Sequence, residues 1–282
     1  MRAGIAYIRK ELDGIYPKGE IESMISLIFD KLKGYSRTQL ILADSELLGE
    51  KEQENISQII DRLKKFEPIQ YILGSTEFYN LPFYCSPGVL IPRPETEGLV
   101  DWIVQENKPG KPTILDIGTG SGCIAVSLQK NIENSIVYAC DISPISIETA
   151  QKNAILNHVS VTVVSFDILN KTPEFTFPVL DIIVSNPPYV RETEKAQMER
   201  NVLDYEPELA LFVADANPLL FYDKIADFAK EKLKNNGRLY FEINEALGNE
   251  CVEMLASKGF SEIILKKDIN GKDRMIGCRI TK

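Results

Sequence analysis

The sequence lacks an excess of positive charge, a long apolar run and any cysteine pattern, and each lack closes off a class of function. Its 282 residues carry 32 lysines and arginines against 41 aspartates and glutamates, a net charge of −9 with an isoelectric point near 4.9. Nucleic-acid affinity that ignores sequence comes mainly from cations that neutralise phosphates, so direct nucleic-acid binding is not expected. A basic patch on one face stays compatible with that total. No apolar stretch is long enough to span a bilayer, and Met1-Arg2-Ala3-Gly4-Ile5 runs into Arg9, Lys10, Glu11 and Asp13 without the apolar core of a signal peptide. The expectation is a cytoplasmic protein with no membrane partner. Cys85, Cys123, Cys140, Cys251 and Cys278 are odd in number and scattered, mostly in apolar runs, and read as reduced core thiols rather than bridges or a metal cluster. No metal is expected, and the single histidine, His158, reads as a solvated loop residue. There is no internal repeat and no low-complexity stretch.

What is present changes character along the chain. Residues 1–70 show apolar positions at helical spacing only: Ile5, Ile8 and Leu12, then Ile21, Met24, Ile25, Ile28 and Leu32 up to Gly34. Ser36 and Gln39 have capping-box spacing, and a longer helix is predicted from Glu50 to Phe66, ended by Pro68. This is a small helical bundle. Residues 71–91 turn to short aromatic and β-branched pieces broken by Gly74, Pro82, Pro87 and Gly88, a predicted hairpin linker. Pro94 then opens a helix whose first turn carries Glu95 and Glu97, with Trp102 in the core.

From Pro112 onward, within a domain spanning 92–282, strand and helix patterns alternate, as in a sheet covered by helices on both faces. Predicted strands are 113–117, 136–140, 161–166, 181–185, 238–243, 261–266 and 274–280; predicted helices are 122–129, 144–156, 219–233 and 248–257. Only 267–273 joins the last two strands, with Asn270-Gly271 as a turn, so they pair antiparallel. The fold class is therefore α/β, Rossmann-like, with a parallel sheet ending in a C-terminal antiparallel hairpin, preceded by the helical bundle.

The chemistry gathers at strand ends. Asp116-Ile117-Gly118-Thr119-Gly120-Ser121-Gly122 follows the first strand, and its glycines let a ligand approach the backbone. Gly120-x-Gly122-x-x-Ala125 also satisfies the dinucleotide fingerprint, which keeps a nicotinamide or flavin enzyme open. Asp141 ends the second strand where a carboxylate takes two ribose hydroxyls in either reading. Asp167 and Ile168 follow the third strand, as an acceptor and cover for a base or as a turn aspartate beside a core residue. Asn186-Pro187-Pro188-Tyr189 leaves the fourth. Its prolines cannot continue a central strand, so the Asn186 amide oxygen and the Pro187 carbonyl are free to accept both hydrogens of a planar NH2 group, with the Tyr189 ring over its face. The charged connection from Arg191 to Asn217 is a candidate lid or a solvated loop.

The glycine loop, Asp141, Asp167 and Asn186-Pro187-Pro188-Tyr189 together resemble class I S-adenosylmethionine-dependent methyltransferases that act on planar amino groups. Pro68-Ile69-Gln70-Tyr71-Ile72-Leu73-Gly74, Glu77-Phe78-Tyr79, Ser86-Pro87 and Ile91-Pro92-Arg93-Pro94-Glu95-Thr96-Glu97 further resemble the release-factor glutamine methyltransferases of HemK (PrmC) type. So do Tyr205-Glu206-Pro207 and the stretch from Asp268 to Arg274. The resemblance implies a class I methyltransferase sheet and methyl transfer from S-adenosylmethionine to the glutamine amide nitrogen in the Gly-Gly-Gln motif of release factors, the proteins of translation termination. It implies cofactor contacts at Gly118, Thr119, Gly120, Ser121, Gly122, Asp141, Asp167, Ile168 and Asn186. Substrate contacts fall on Asn186, Pro187, Pro188 and Tyr189, with Asn186, Pro187 and Tyr189 catalytic, and the helical part docks the substrate. Pro92, Arg93 and Glu95 resemble the stretch that closes over the methionine end. Ile168 stands where relatives carry a larger aromatic residue. A monomer is expected.

Two other readings remain at this level. The tetrapeptide holds an adenine amino group equally well, so an adenine-amino methyltransferase on DNA or RNA is the alternative, disfavoured by the acidic balance. The chain also reads as a binding module that senses a nucleotide-like ligand, which the intact transfer residues disfavour.

Overall fold

A computed structural model of the chain describes residues 1–43, 45–108, 110–170 and 175–281 and divides it into two compact units, Met1–Gly74 with Glu199–Tyr205, and Ser75–Met198 with Glu206–Lys282. In the first, helical spacing yields α1 (Arg2–Leu12), α2 (Lys18–Lys33), α3 (Arg37–Leu42), α4 (Glu50–Leu63) and α5 (Ile69–Leu73). Ile8, Leu12, Ile28, Phe29 and Leu63 close its core without exposure. Local chemistry sets the ends. Gly34 takes a left-handed φ of 68° after α2, and Ser36 and Gln39 form the capping box of α3. The sequence pattern extends α4 to Phe66, yet the helix stops at Leu63. Pro68 disfavours helical backbone at Glu67, and Arg62 reaches forward to Glu67 at 2.7 Å, while Phe66 turns to a φ of 65°.

The second unit opens with the hairpin β1 (Ser75–Phe78) and β2 (Leu81–Tyr84) and continues through α6 (Pro94–Glu106), β3 (Thr113–Ile117), α7 (Cys123–Asn131), β4 (Ile136–Asp141), α8 (Pro144–Leu156), β5 (Val161–Ser165), β6 (Leu180–Ser185) and β7 (Val190–Arg191). After α9 (Arg200–Leu203), which is counted with the helical unit, come α10 (Glu208–Leu211), β8 (Phe212–Val213), α11 (Leu220–Lys232), β9 (Leu233–Glu242), α12 (Gly248–Ser257), β10 (Phe260–Lys267) and β11 (Asp273–Ile280). The hairpin, expected within the linker 71–91, is tied to this unit. The Tyr84 N–H donates to Asn153 at 2.7 Å, and the Tyr79 N–H donates to Glu97 at 2.9 Å.

The main sheet has seven strands in the order β10-β11-β9-β6-β3-β4-β5. Strands β9, β6, β3, β4 and β5 run parallel, and β11 lies antiparallel between β9 and β10. Period-two alternation divides the core: Ile183 of β6 faces Tyr222 and Phe228 of α11, whereas Ile182 and Val184 face the side of α6 and α7. Strand β9 begins at Leu233, five residues before the sequence-predicted Arg238, because Leu233 pairs with Leu180 ahead of a register shift, with Asn236 at a φ of 62°. Among the described residues no helix is long and apolar enough to cross a membrane.

This topology makes the site. The chain moves outward from β3 to β4 and β5, then returns to β6 on the other side of β3, so the switch point lies between β3 and β6. Ile117 pairs with Ser185 in register, and the Ser185 hydroxyl donates to the Ile117 carbonyl at 2.6 Å. The segments starting at Gly118 and Asn186 therefore leave the same sheet edge side by side.

Candidate active site

The loop after β3 is built around Asp116. This side chain is fully buried and accepts from the Thr119 hydroxyl at 2.6 Å. Burial raises its pKa from 3.8 to about 7 against the opposing Thr119 bond. Gly122 ends the loop at a φ of 81°, and a Cβ there would lie 3.0 Å from the Ala150 Cβ, so the position demands glycine both for conformation and for the approach of α7 to α8.

Asp141 closes β4 opposite this loop. Its Oδ2 accepts from the Gly120 N–H and its Oδ1 from the Ser143 N–H, each at 2.9 Å. Burial raises its pKa, and these backbone donors oppose the rise. A carboxylate fixed this way still has lone pairs for a vicinal diol. Asp167 accepts from the Leu169 N–H at 2.8 Å and from the Asn170 side chain, so it shapes its own turn as well as facing the cavity. Ile168 is buried and contributes an apolar wall.

These residues surround a cavity of about 280 Å³ whose lining includes Gly118–Ser121, Asp141, Asp167, Ile168, Asn186, Pro187 and Pro188, together with Pro92, Arg93 and Thr96 of the proline-arginine stretch. The sequence-predicted residues thus meet around one space with three exceptions. Gly122 and Glu95 are absent from the described lining, and so is Tyr189. The Tyr189 hydroxyl turns inward to donate to Glu242 Oε1 at 3.0 Å, its carbonyl accepts from Asn244 at 3.0 Å, and its ring packs on the core beside α11.

Two groups of residues were not singled out by sequence reasoning. Glu206, with only 1% of its side chain exposed, accepts from the Ile91 N–H at 3.1 Å and from Arg93 at 2.6 Å, clamping the proline-arginine stretch beneath the connection 206–211. That connection brings Pro207, Leu209 and Ala210 into the cavity wall. Thr96 and Glu242 form the second group: the Thr96 hydroxyl donates to Glu242 Oε2 at 2.6 Å, and the Asn186 amide Nδ2 faces Thr96 Oγ1 at 3.4 Å. Burial raises the Glu242 pKa, opposed by its bonds from Thr96 and Tyr189 and by the charge of Arg274. Their motif neighbours gave the only signal, Thr96 inside Pro92–Glu97 and Glu206 beside Pro207.

Chemically, the arrangement offers a carboxylate for a diol, an apolar slot for a planar ring, a glycine-lined path for a polar tail and, in Asn186 and Pro187 of the lining, two carbonyl-bearing residues for a planar amino group. Both units are similar to proteins of known kind. Residues 96–205 match the model of the methyltransferase small domain, and residues 5–74 match that of the PrmC N-terminal domain. A release factor glutamine methyltransferase of Flavobacterium psychrophilum is 49% identical over 94% of this chain and 94% of its own. Another, of Bacteroides thetaiotaomicron, is 47% identical over 96% of this chain and 97% of its own. Among solved structures, the T. thermophilus 16S rRNA N2 G1207 methyltransferase in complex with AdoMet and guanosine is 17% identical, with a TM-score of 0.53 over 73% of this chain and 49% of that one, a likeness of fold.

Proposed function

The chain belongs to the release factor glutamine methyltransferase family, and from that premise we propose that it transfers the methyl group of S-adenosylmethionine to the side-chain amide nitrogen of the glutamine in the Gly-Gly-Gln motif of peptide chain release factors. The observation that carries this reading is 49% identity across 94% of both chains, because the cavity alone suits an adenine amino group as well as a glutamine amide.

The residues present fit the cofactor. A Cβ on Gly118 would meet no atom within 4 Å, which leaves open space above the loop backbone for the amino-acid end. Asp141, already oriented by the Gly120 and Ser143 N–H groups, is assigned the ribose hydroxyls, with Asp167 and Ile168 assigned the base. Arg93 and Pro92 wall the methionine side, with Thr96 beside Asn186. Bound S-adenosylmethionine supplies an electrophilic methyl group on a positively charged sulfur.

The chain's own residues then have mainly to position the amide. Its nitrogen is a weak nucleophile because the lone pair is delocalised into the carbonyl. Asn186 Oδ1 and the Pro187 carbonyl accept one NH2 hydrogen each, which turns the nitrogen toward the methyl group and stabilises the positive charge that develops on those hydrogens. We assign Tyr189 to holding the tetrapeptide through Glu242 and Asn244. The helical unit is assigned to docking the release factor, the protein is taken to act as a monomer, and the substrate class makes the cytoplasm its location.

Labelled S-adenosylmethionine tests the reading with a purified release factor and its Gln-to-Ala version as acceptors. Label is expected in the first only. Equal label in both would overturn the assignment of the amide, and label in nucleic acid alone would move the reading to adenine.

A further inference from the structure

The two carbonyl acceptors can hold an NH2 group only if the Asn186 amide keeps its oxygen, and not its own NH2, toward the cavity. A primary amide is nearly symmetric in shape, so packing alone selects this orientation weakly. The polar groups behind it select it through the count of hydrogens. Thr96 has one hydroxyl hydrogen, and it is committed to Glu242 Oε2 at 2.6 Å. The Thr96 oxygen can then only accept, so the Asn186 group facing it at 3.4 Å is the NH2 and the carbonyl oxygen is turned away. The other oxygen of Glu242 accepts from the Tyr189 hydroxyl at 3.0 Å, at the far end of the same tetrapeptide. Glu242 is 1% exposed and Thr96 2%, so water does not compete for these bonds.

We propose that Glu242 is a positioning residue for methyl transfer: acting through Thr96, its carboxylate fixes the Asn186 amide with the oxygen toward the substrate, and it anchors Asn186-Pro187-Pro188-Tyr189 at both ends. A glutamine in its place would present an NH2 to one of its two partners. If that partner is Thr96, the hydroxyl hydrogen is released toward Asn186 and the amide reverses, setting its own NH2 against that of the substrate. If it is Tyr189, the tyrosine hydroxyl loses its acceptor. The inference rests on the methyl-transfer reading above, and its test separates the two.

Glu242→Gln, Thr96→Val and Thr96→Ser are compared with the parent, using a release factor as acceptor at saturating S-adenosylmethionine. Glu242→Gln and Thr96→Val are expected to lower kcat at least about tenfold while the dissociation constant for S-adenosylmethionine stays within about threefold; Thr96→Ser, which keeps the hydroxyl, recovers most of kcat. A merely structural role for the Thr96 hydroxyl would lower S-adenosylmethionine affinity together with kcat, not kcat alone. Should Glu242→Gln fail to fold, the Thr96 pair decides the matter. Retention of kcat within about twofold in Thr96→Val overturns the proposal. Independently of turnover, nuclear Overhauser contacts should link the Asn186 side-chain NH2 to Thr96 in the parent. Their absence from the parent overturns the positioning role even if methyl transfer proceeds; their presence without methyl transfer overturns only the functional reading.

Discussion

Asn186 and Asp116 illustrate how single side chains here are set by their hydrogen-bond partners, Thr96 and Thr119. Replacing Asn186 by alanine removes one of the two acceptors we assign to the amide, so kcat should fall about a hundredfold with S-adenosylmethionine affinity less affected, as read from initial rates and calorimetry. A purely structural asparagine would lose both together. Asp116 predicts a pH effect on stability. Its folded pKa is about 7, against roughly 3.9 in an unfolded chain. Between those values the folded state holds a proton that the unfolded state has lost, so this group makes stability fall as pH rises, by up to about 1.4 kcal/mol per unit, until the folded carboxyl also ionises. Asp116→Asn removes that slope. The parent-minus-variant unfolding free energy should therefore decline from about pH 5 to about pH 7 and then level off; a difference that does not change with pH contradicts the assignment. The pairing of Thr96 with Glu242 was illegible in the sequence for a plain reason: they stand 146 residues apart, and nothing in local pattern announces a hydrogen bond at that separation.

At the scale of elements, strand and helix patterning carried most of the fold because it depends only on which face each residue buries. The ends of β3 and β6, where Gly118 and Asn186 begin, were legible in this way, and their adjacency followed once the switch point was recognised. Legibility failed where partners lie far along the chain. The connection from Arg191 to Asn217 read as a candidate lid or a solvated loop, and it folds into β7, the 3-10 turn Glu192–Gln197, α9, α10 and β8, and buries Glu206 against Ile91 and Arg93. Glu206→Ala frees that clamp by removing both of its hydrogen bonds, from the Ile91 N–H and from Arg93, and S-adenosylmethionine affinity should weaken at least about tenfold by calorimetry; unchanged affinity would show that the stretch needs no anchor. Gly122→Ala puts a Cβ against Ala150 at a φ of 81° and should destabilise the fold by about 1–3 kcal/mol in chemical denaturation, with an unshifted midpoint as the contrary result.

The whole molecule joins a helical unit to a methyltransferase unit, and we assign to the helical unit the docking that would direct a general amino-group site to a protein substrate. Addition of an unmethylated release factor to the full-length protein should slow backbone deuterium exchange within residues 1–74. Unchanged exchange there would deny that unit its docking role. The most direct measurement of the central claim is peptide mass spectrometry of a release factor after incubation with the protein and S-adenosylmethionine. The account predicts a gain of one methyl group on the Gly-Gly-Gln peptide, carried by the glutamine side chain in its fragment ions and formed about a hundredfold more slowly by Asn186→Ala; a methyl group on any other residue, or none on that peptide, would contradict it.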